Sequence, residues 1–153
     1  MSRTMVPNQT KLSGTLFYVL LCPHTEEKAF VRMLDRQIDK LGNIYAKIYL
    51  IRNERHFKIF DSKGQAFEPD FVLFLQEKGG KLLTYQLFIE PKGKYLKEHD
   101  QWKQDLLKDI TNQFADKVID FGENKKYRLI GVPFYNNQDE NVFKQSLYEA
   151  LKI

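Results

Sequence analysis

With a single cysteine, Cys22, no internal disulfide can form. The three histidines, His24, His56 and His99, lie far apart, and no Cys/His spacing suits a zinc site. A chain without either staple must be held by burial, for which 153 residues suffice in one domain. The lone thiol also favours a reducing, cytoplasmic compartment. No repeat or low-complexity segment interrupts the chain. The first apolar run, TLFYVLLC from Thr15 to Cys22, is far shorter than the ~20 residues a membrane helix requires. It also lacks the small-residue cleavage site of a signal peptide, and Leu21 stands before the cysteine where a lipoprotein signal has a small residue. It reads as a strand.

What is present is ordinary for a globular domain: 42% hydrophobic and 29% charged residues. The net charge of +4 and pI near 9.0 are compatible with a polyanionic partner without requiring one. Twelve Phe and eight Tyr supply an aromatic-rich core. Residues 1–14, MSRTMVPNQTKLSG, are polar and aperiodic and read as a linker, which leaves 15–153 as the folded domain.

Along that domain, Thr25 caps a helix with Glu26 and Glu27 in its first turn. Phe30, Met33, Leu34, Ile38 and Leu41 recur at helical spacing until Gly42 offers a stop. Ile44–Arg52 is β-branched and aromatic, and Phe57–Phe60 leads into an Asp61-Ser62-Lys63-Gly64 turn. The runs FVLFL (71–75) and LLTYQLFI (82–89), joined by a Gly-containing loop, read as an antiparallel pair. Trp102, Leu106, Ile110 and Phe114 mark a second helix, Tyr127–Phe134 another strand, and Val142, Phe143, Leu147 and Leu151 a final helix opened by Asp139 or Asn141. The order predicts an α/β or α+β domain with a mixed sheet.

Charges stand at the ends of the two most hydrophobic strands. Asp70 follows Pro69 and precedes FVLFL; Glu90-Pro91-Lys92 follows LLTYQLFI. Glu90 and Lys92, two apart, share a face, and antiparallel pairing brings Asp70 beside Glu90. Two carboxylates at the edge of an apolar core repel, and a hard divalent cation resolves this better than one lysine. Mg²⁺ suits such a site, because it commonly binds through one or two carboxylates, waters and substrate phosphate. Pro91 belongs at a strand end, where its carbonyl can face a ligand, and Gly93 leaves room for close approach. Glu-x-Lys occurs three times, but only the Glu90 copy ends an apolar strand, and Pro-Asp occurs once. The competing reading is a turn aspartate beside a surface Glu90–Lys92 ion pair.

At FEPDFVLFL, YQLFIEPKG and DQWKQDLL the sequence resembles the PD-(D/E)xK nuclease superfamily, and within it the C-terminal endonuclease domain of the restriction (Res) subunit of type III restriction enzymes. The likeness extends more loosely from the Thr25 helix to the C-terminus. It implies a restriction-endonuclease-like mixed sheet with an αβββαβ core flanked by helices, and Mg²⁺-dependent hydrolysis of DNA phosphodiester bonds, with Mn²⁺ able to substitute. Asp70 and Glu90 then hold the metal with the Pro91 carbonyl, Lys92 orients or activates the attacking water, and Glu27 is the candidate for a further ligand. Lys94, Lys97, Lys103 and Lys108 follow the site as candidate phosphate contacts, with Lys94 and Lys103 foremost. The implied partners are double-stranded DNA, a helicase/translocase domain of the same subunit and a modification methyltransferase subunit. Without a Gly-rich loop ending in Gly-Lys-Ser/Thr, ATP enters only through a motor domain outside this stretch. The alternative function is a non-catalytic DNA-binding or docking module with a nuclease-like fold. His99 is an ordinary surface histidine by default, and Trp102 a core anchor because it shares the apolar helical face.

Overall fold

Side chains alternate along a strand, so one covered by helices on both faces must be apolar at nearly every position. The two central runs meet that condition and form the middle of a five-stranded sheet. The computed structural model describes residues 10–12, 15–17, 25–53, 55, 57–79, 83–93, 99–120 and 126–153. Its elements are β1 (Thr10–Leu12), β2 (Thr15–Phe17), α1 (Thr25–Ile44), β3 (Tyr45–Arg52), β4 (Ile59–Phe60), β5 (Ala66–Phe67), β6 (Phe71–Glu77), β7 (Leu83–Ile89), α2 (Gln101–Phe114), β8 (Ile119–Asp120), β9 (Lys126–Gly131) and α3 (Glu140–Leu151), with a single 3-10 turn at Asn137–Asp139 before α3.

The sheet runs β3-β6-β7-β9-β8. β6 is antiparallel to β3 and β7, β9 is parallel to β7 through the α2 crossover, and β8 is antiparallel to β9. The chain therefore has a mixed α+β architecture. On one face Phe71, Leu73, Leu75, Tyr85, Leu87 and Ile89 pack with α1 and α3 residues such as Phe30, Leu34, Phe143 and Leu147. On the other, Val72 and Phe88 pack with Leu107 and Ile110 of α2 and with Phe67 and Phe134. Trp102 joins this second core edge-on to Phe67, in the anchoring role its helical position predicts.

At Gly131, α2 lies so close to the sheet that a Cβ would come within 2.0 Å of the Leu107 carbonyl oxygen. Thr111 Oγ1 exploits the approach, donating to the Gly131 carbonyl at 2.6 Å and accepting from its N–H at 2.8 Å.

Several boundaries differ from the sequence reading. Thr10–Leu12, inside the expected linker, pairs with Thr15–Phe17; strands of three residues are too short to show a period. The expected strand to Cys22 is described only as far as Phe17. Gly42 does not stop α1, because it is buried without the positive φ of a glycine cap, and the helix continues to Ile44. The Asp61–Gly64 turn forms, with Gly64 at φ +81° and Asp61 Oδ1 accepting from the N–H groups of Lys63 and Gln65, and closes the small β4/β5 hairpin. β9 ends at Gly131 rather than Phe134, and β8 adds an edge strand the periodicity did not announce. Among the described residues, no helix is long and apolar enough to cross a membrane.

Candidate active site

The β6/β7 register fixes the position of the charges. Phe71 lies opposite Ile89, which puts Asp70 beside Glu90 where the ladder ends. The Asp70 N–H donates to Glu90 Oε2 at 3.0 Å, and its carbonyl accepts from the Asn53 N–H at 2.8 Å. Val72 and Phe88 face α2, so alternation turns the side chains of Asp70, Glu90 and Lys92 to the same side.

Beyond β7 the chain remains tied to the segment after β9. The Tyr135 N–H donates to the Glu90 carbonyl at 3.1 Å and the Lys92 N–H to the Tyr135 carbonyl at 2.8 Å, with Pro91 and Tyr135 forming a parallel bridge. In such a ladder the intervening carbonyl points the other way, so that of Pro91 is directed to the Asp70 side. Buried Asn136 completes the clamp: its Nδ2 donates to the Lys92 carbonyl at 2.9 Å while its Oδ1 accepts from the Gln138 N–H.

Glu90 is only 4% exposed. Burial, reinforced by the Asp70 charge, pushes its carboxyl up to about 7 against the opposing pull of Lys92. Lys92 Nζ lies 3.3 Å from Glu90 Oε1 and 3.0 Å from Asp100 Oδ2. Burial pulls its ammonium down, but the contacts with Asp100 and Glu90 outweigh this and hold it above its ordinary value. Asp100 precedes α2; burial pushes its carboxyl up, and its bonds to Lys92 and Lys103 prevail and lower it. Lys103 Nζ sits 3.1 Å from Asp100 Oδ1 and 5.5 Å from the centre of the Phe67 ring.

The structure brings Asp70, Glu90 and Lys92 together, and places Lys103 one residue further out through Asp100. It does not bring Glu27 to them. Ile48 and Leu50 face α1, so alternation turns Arg52 to that face, and Glu27 Oε2 lies 3.3 Å from Arg52 Nη2. That buried oxygen receives no well-aligned hydrogen bond, so the contact is an ion pair of poor geometry. Lys94 and Lys97 lie outside the described residues; Lys108 and His99 are exposed.

Sequence reasoning missed Asp100, Tyr135 and Asn136. A signal existed for Asp100, an aspartate at a helix start with a lysine three residues on. None existed for the other two, whose roles depend on a long-range backbone bridge.

Among the described residues no group of three or more His, Cys, Asp and Glu side chains comes together. Mg²⁺ does not demand one, since one or two carboxylates suffice beside water and phosphate. The oxygen donors of Asp70 and Glu90, with the Glu90 carboxyl raised by burial and then by its neighbour's charge, fit such an ion.

Residues 16–151 match the family model HI_1054_C, described as a C-terminal domain. The chain belongs to the HI_1054_C family. A Haemophilus influenzae protein described as uncharacterized is 37% identical over 123 residues, 75% of this chain and 26% of that relative. The chain thus spans about a quarter of the length of the relative it matches. No solved structure matches it. The HI_1054_C match includes Glu27, Asp70, Glu90, Lys92, Asp100 and Lys103.

Proposed function

We propose that this domain is a Mg²⁺-dependent DNA endonuclease of the PD-(D/E)xK type with a restriction-endonuclease-like fold, working as the nuclease part of a type III restriction enzyme's restriction subunit. The observation that carries the reading is the meeting of Asp70 and Glu90 at the end of the β6/β7 ladder, with Lys92 held beside Glu90. The element order α1, β3, β6, β7, α2, β9, with the β4/β5 hairpin inserted, supports the fold assignment.

Asp70 and Glu90, with the Pro91 carbonyl, would hold the ion. Its chemistry there would be to acidify a bound water and neutralise charge on the phosphate oxygens. The chain's own residues do the rest. Lys92 keeps its proton, so it acts as a donor and fixed cation rather than a base. It orients the attacking water and stabilises charge growing on the phosphoryl oxygens as the new P–O bond forms and the P–O bond to the leaving strand breaks. Lys103 lies where a second phosphate contact would form, a contact that adds affinity without reading sequence. Duplex DNA is the proposed substrate, with a helicase/translocase domain of the same subunit and a modification methyltransferase subunit as partners.

The test is calorimetric titration of Mg²⁺ or Mn²⁺ into wild type and Asp70→Ala, beside cleavage assays on the full-length protein. Wild type should bind metal and cut. Asp70→Ala and Glu90→Ala should abolish both while the fold remains, because loss of one of two repelling carboxylates removes the ligand and relieves the repulsion. Metal binding that survives Asp70→Ala overturns the site; a wild type that binds duplex DNA but never cuts leaves a docking module instead.

A further inference from the structure

An aspartate just before a helix usually accepts a hydrogen bond from the first-turn N–H groups. Asp100 does not: its side chain makes no capping bond. Two ammonium groups take its oxygens instead, Lys92 at 3.0 Å on Oδ2 and Lys103 at 3.1 Å on Oδ1. Lys92 is bracketed between Glu90 and Asp100, with its side chain 17% exposed.

We propose that Asp100 is the positioning residue for Lys92 in the hydrolysis described above, keeping its ammonium at the scissile phosphate when Glu90 turns its charge to the metal. This inference rests on the nuclease reading. A metal ion on Glu90 would compete with the ammonium for its negative charge and weaken its hold on the lysine. A lysine side chain held at one point only has many open rotamers and would spread over many positions. Asp100 reaches the ammonium from α2, so its hold does not depend on Glu90. Lys103, one helical turn into α2, occupies the other oxygen of Asp100 and limits rotation of the carboxylate. The capping bond that Asp100 forgoes is thus exchanged for control of a cation at the site.

The experiment compares wild type, Asp100→Asn and Asp100→Glu in the full-length protein, by single-turnover cleavage of duplex DNA and by ¹⁵N NMR of the Lys92 ammonium in the Mg²⁺-loaded state, assigned with Lys92→Arg. Asp100→Asn should slow cleavage at saturating Mg²⁺ and DNA by about 10–100-fold, the usual cost of removing a partner that orients a site residue. Half-saturating Mg²⁺ and DNA should stay within about twofold. The slowly exchanging Lys92 signal should disappear, the melting temperature should hold, and Asp100→Glu should recover most of the rate. A near-normal rate or a retained Lys92 signal in Asp100→Asn overturns the positioning role. So does a raised Mg²⁺ requirement, which would make Asp100 a metal residue, or a rate loss matched by unfolding and unrescued by glutamate. A wild type that never cleaves overturns the nuclease reading and this inference with it; an active wild type beside an unimpaired Asp100→Asn overturns the inference alone.

Discussion

Replacing Glu90 with glutamine should stabilise the metal-free protein at pH 8 and change it little at pH 5. Burial and the Asp70 charge raise this carboxyl from its ordinary 4.5 to about 7. Between those values the folded chain holds a proton that the unfolded chain has released. Stability therefore falls as pH rises through this window and levels off above it. At 1.36 kcal/mol per pKa unit, ionised Glu90 costs the fold on the order of 3 kcal/mol at pH 8, a large share of the 5–15 kcal/mol that hold a typical domain together. Glutamine keeps the shape and an oxygen to accept from the Asp70 N–H, and the attraction of Lys92 is already contained in the net shift, so the gain should be of the same order, about 2–3 kcal/mol.

Urea unfolding at pH 5, 6, 7 and 8 in EDTA measures it, as the difference between wild type and Glu90→Gln at each pH. The gap should open between pH 5 and 7 and then hold. On the metal reading, Mg²⁺ at about 100 times its dissociation constant should return some 2.7 kcal/mol to the wild type and much less to the variant. A gap that stays constant from pH 5 to 8 would mean that Glu90 titrates in the ordinary carboxylate range, and the electrostatic account of the site would be refuted.

Gly131→Ala should destabilise by roughly 3 kcal/mol or more, because its Cβ would overlap the Leu107 carbonyl and push α2 off the sheet; thermal melting checks it. Thr111→Val should cost about 1–3 kcal/mol in the same assay, by leaving the Gly131 N–H and carbonyl without that hydroxyl. Arg52→Met should cost about 3–5 kcal/mol by stranding the buried Glu27 carboxylate, and adding Glu27→Gln should recover most of it; an additive double variant in denaturation would show that the two side chains do not interact.

The parts of the fold readable from sequence were those with a long period or a doubly buried strand. FVLFL and LLTYQLFI read as an antiparallel pair of strands, and that pairing brings Asp70 towards Glu90 and turns Lys92 to the same side. Glu27 was correctly expected on the helical face it shares with Phe30 and Leu34, but which face of the sheet that helix covers is a tertiary matter. Arg52 settles it by reaching Glu27 from the α1 side. Asp100 carried a local sign, an aspartate before a helix with a lysine three residues on, but its closeness to Lys92 is a tertiary matter that no local pattern specifies. Asn136 and Tyr135 lie more than forty positions from the backbone groups they hold, and only the parallel β7/β9 pairing brings them there.

The depth of the charges in the sheet explains why they sit where they do. One alternation further in, the same face is occupied by Val72 and Phe88, 0% and 8% exposed beneath α2, where a carboxylate pair would lose its remaining water and become neutral. One alternation further out, Glu90 would be solvated, its carboxyl would return to the ordinary range, and the pair would attract a cation only weakly. At the final rung Glu90 is nearly covered while Asp70 and Lys92 remain half-buried, the intermediate depth that the proposed metal site needs. The core residues fix this depth, because Phe71 opposite Ile89 sets which pair of side chains comes next. A slip of one residue would turn Asp70 to the α1 face and separate it from Glu90. The geometry of the site is therefore a consequence of packing, and repacking variants at Phe71 or Ile89 should disturb the Asp70–Glu90 contact before they unfold the sheet.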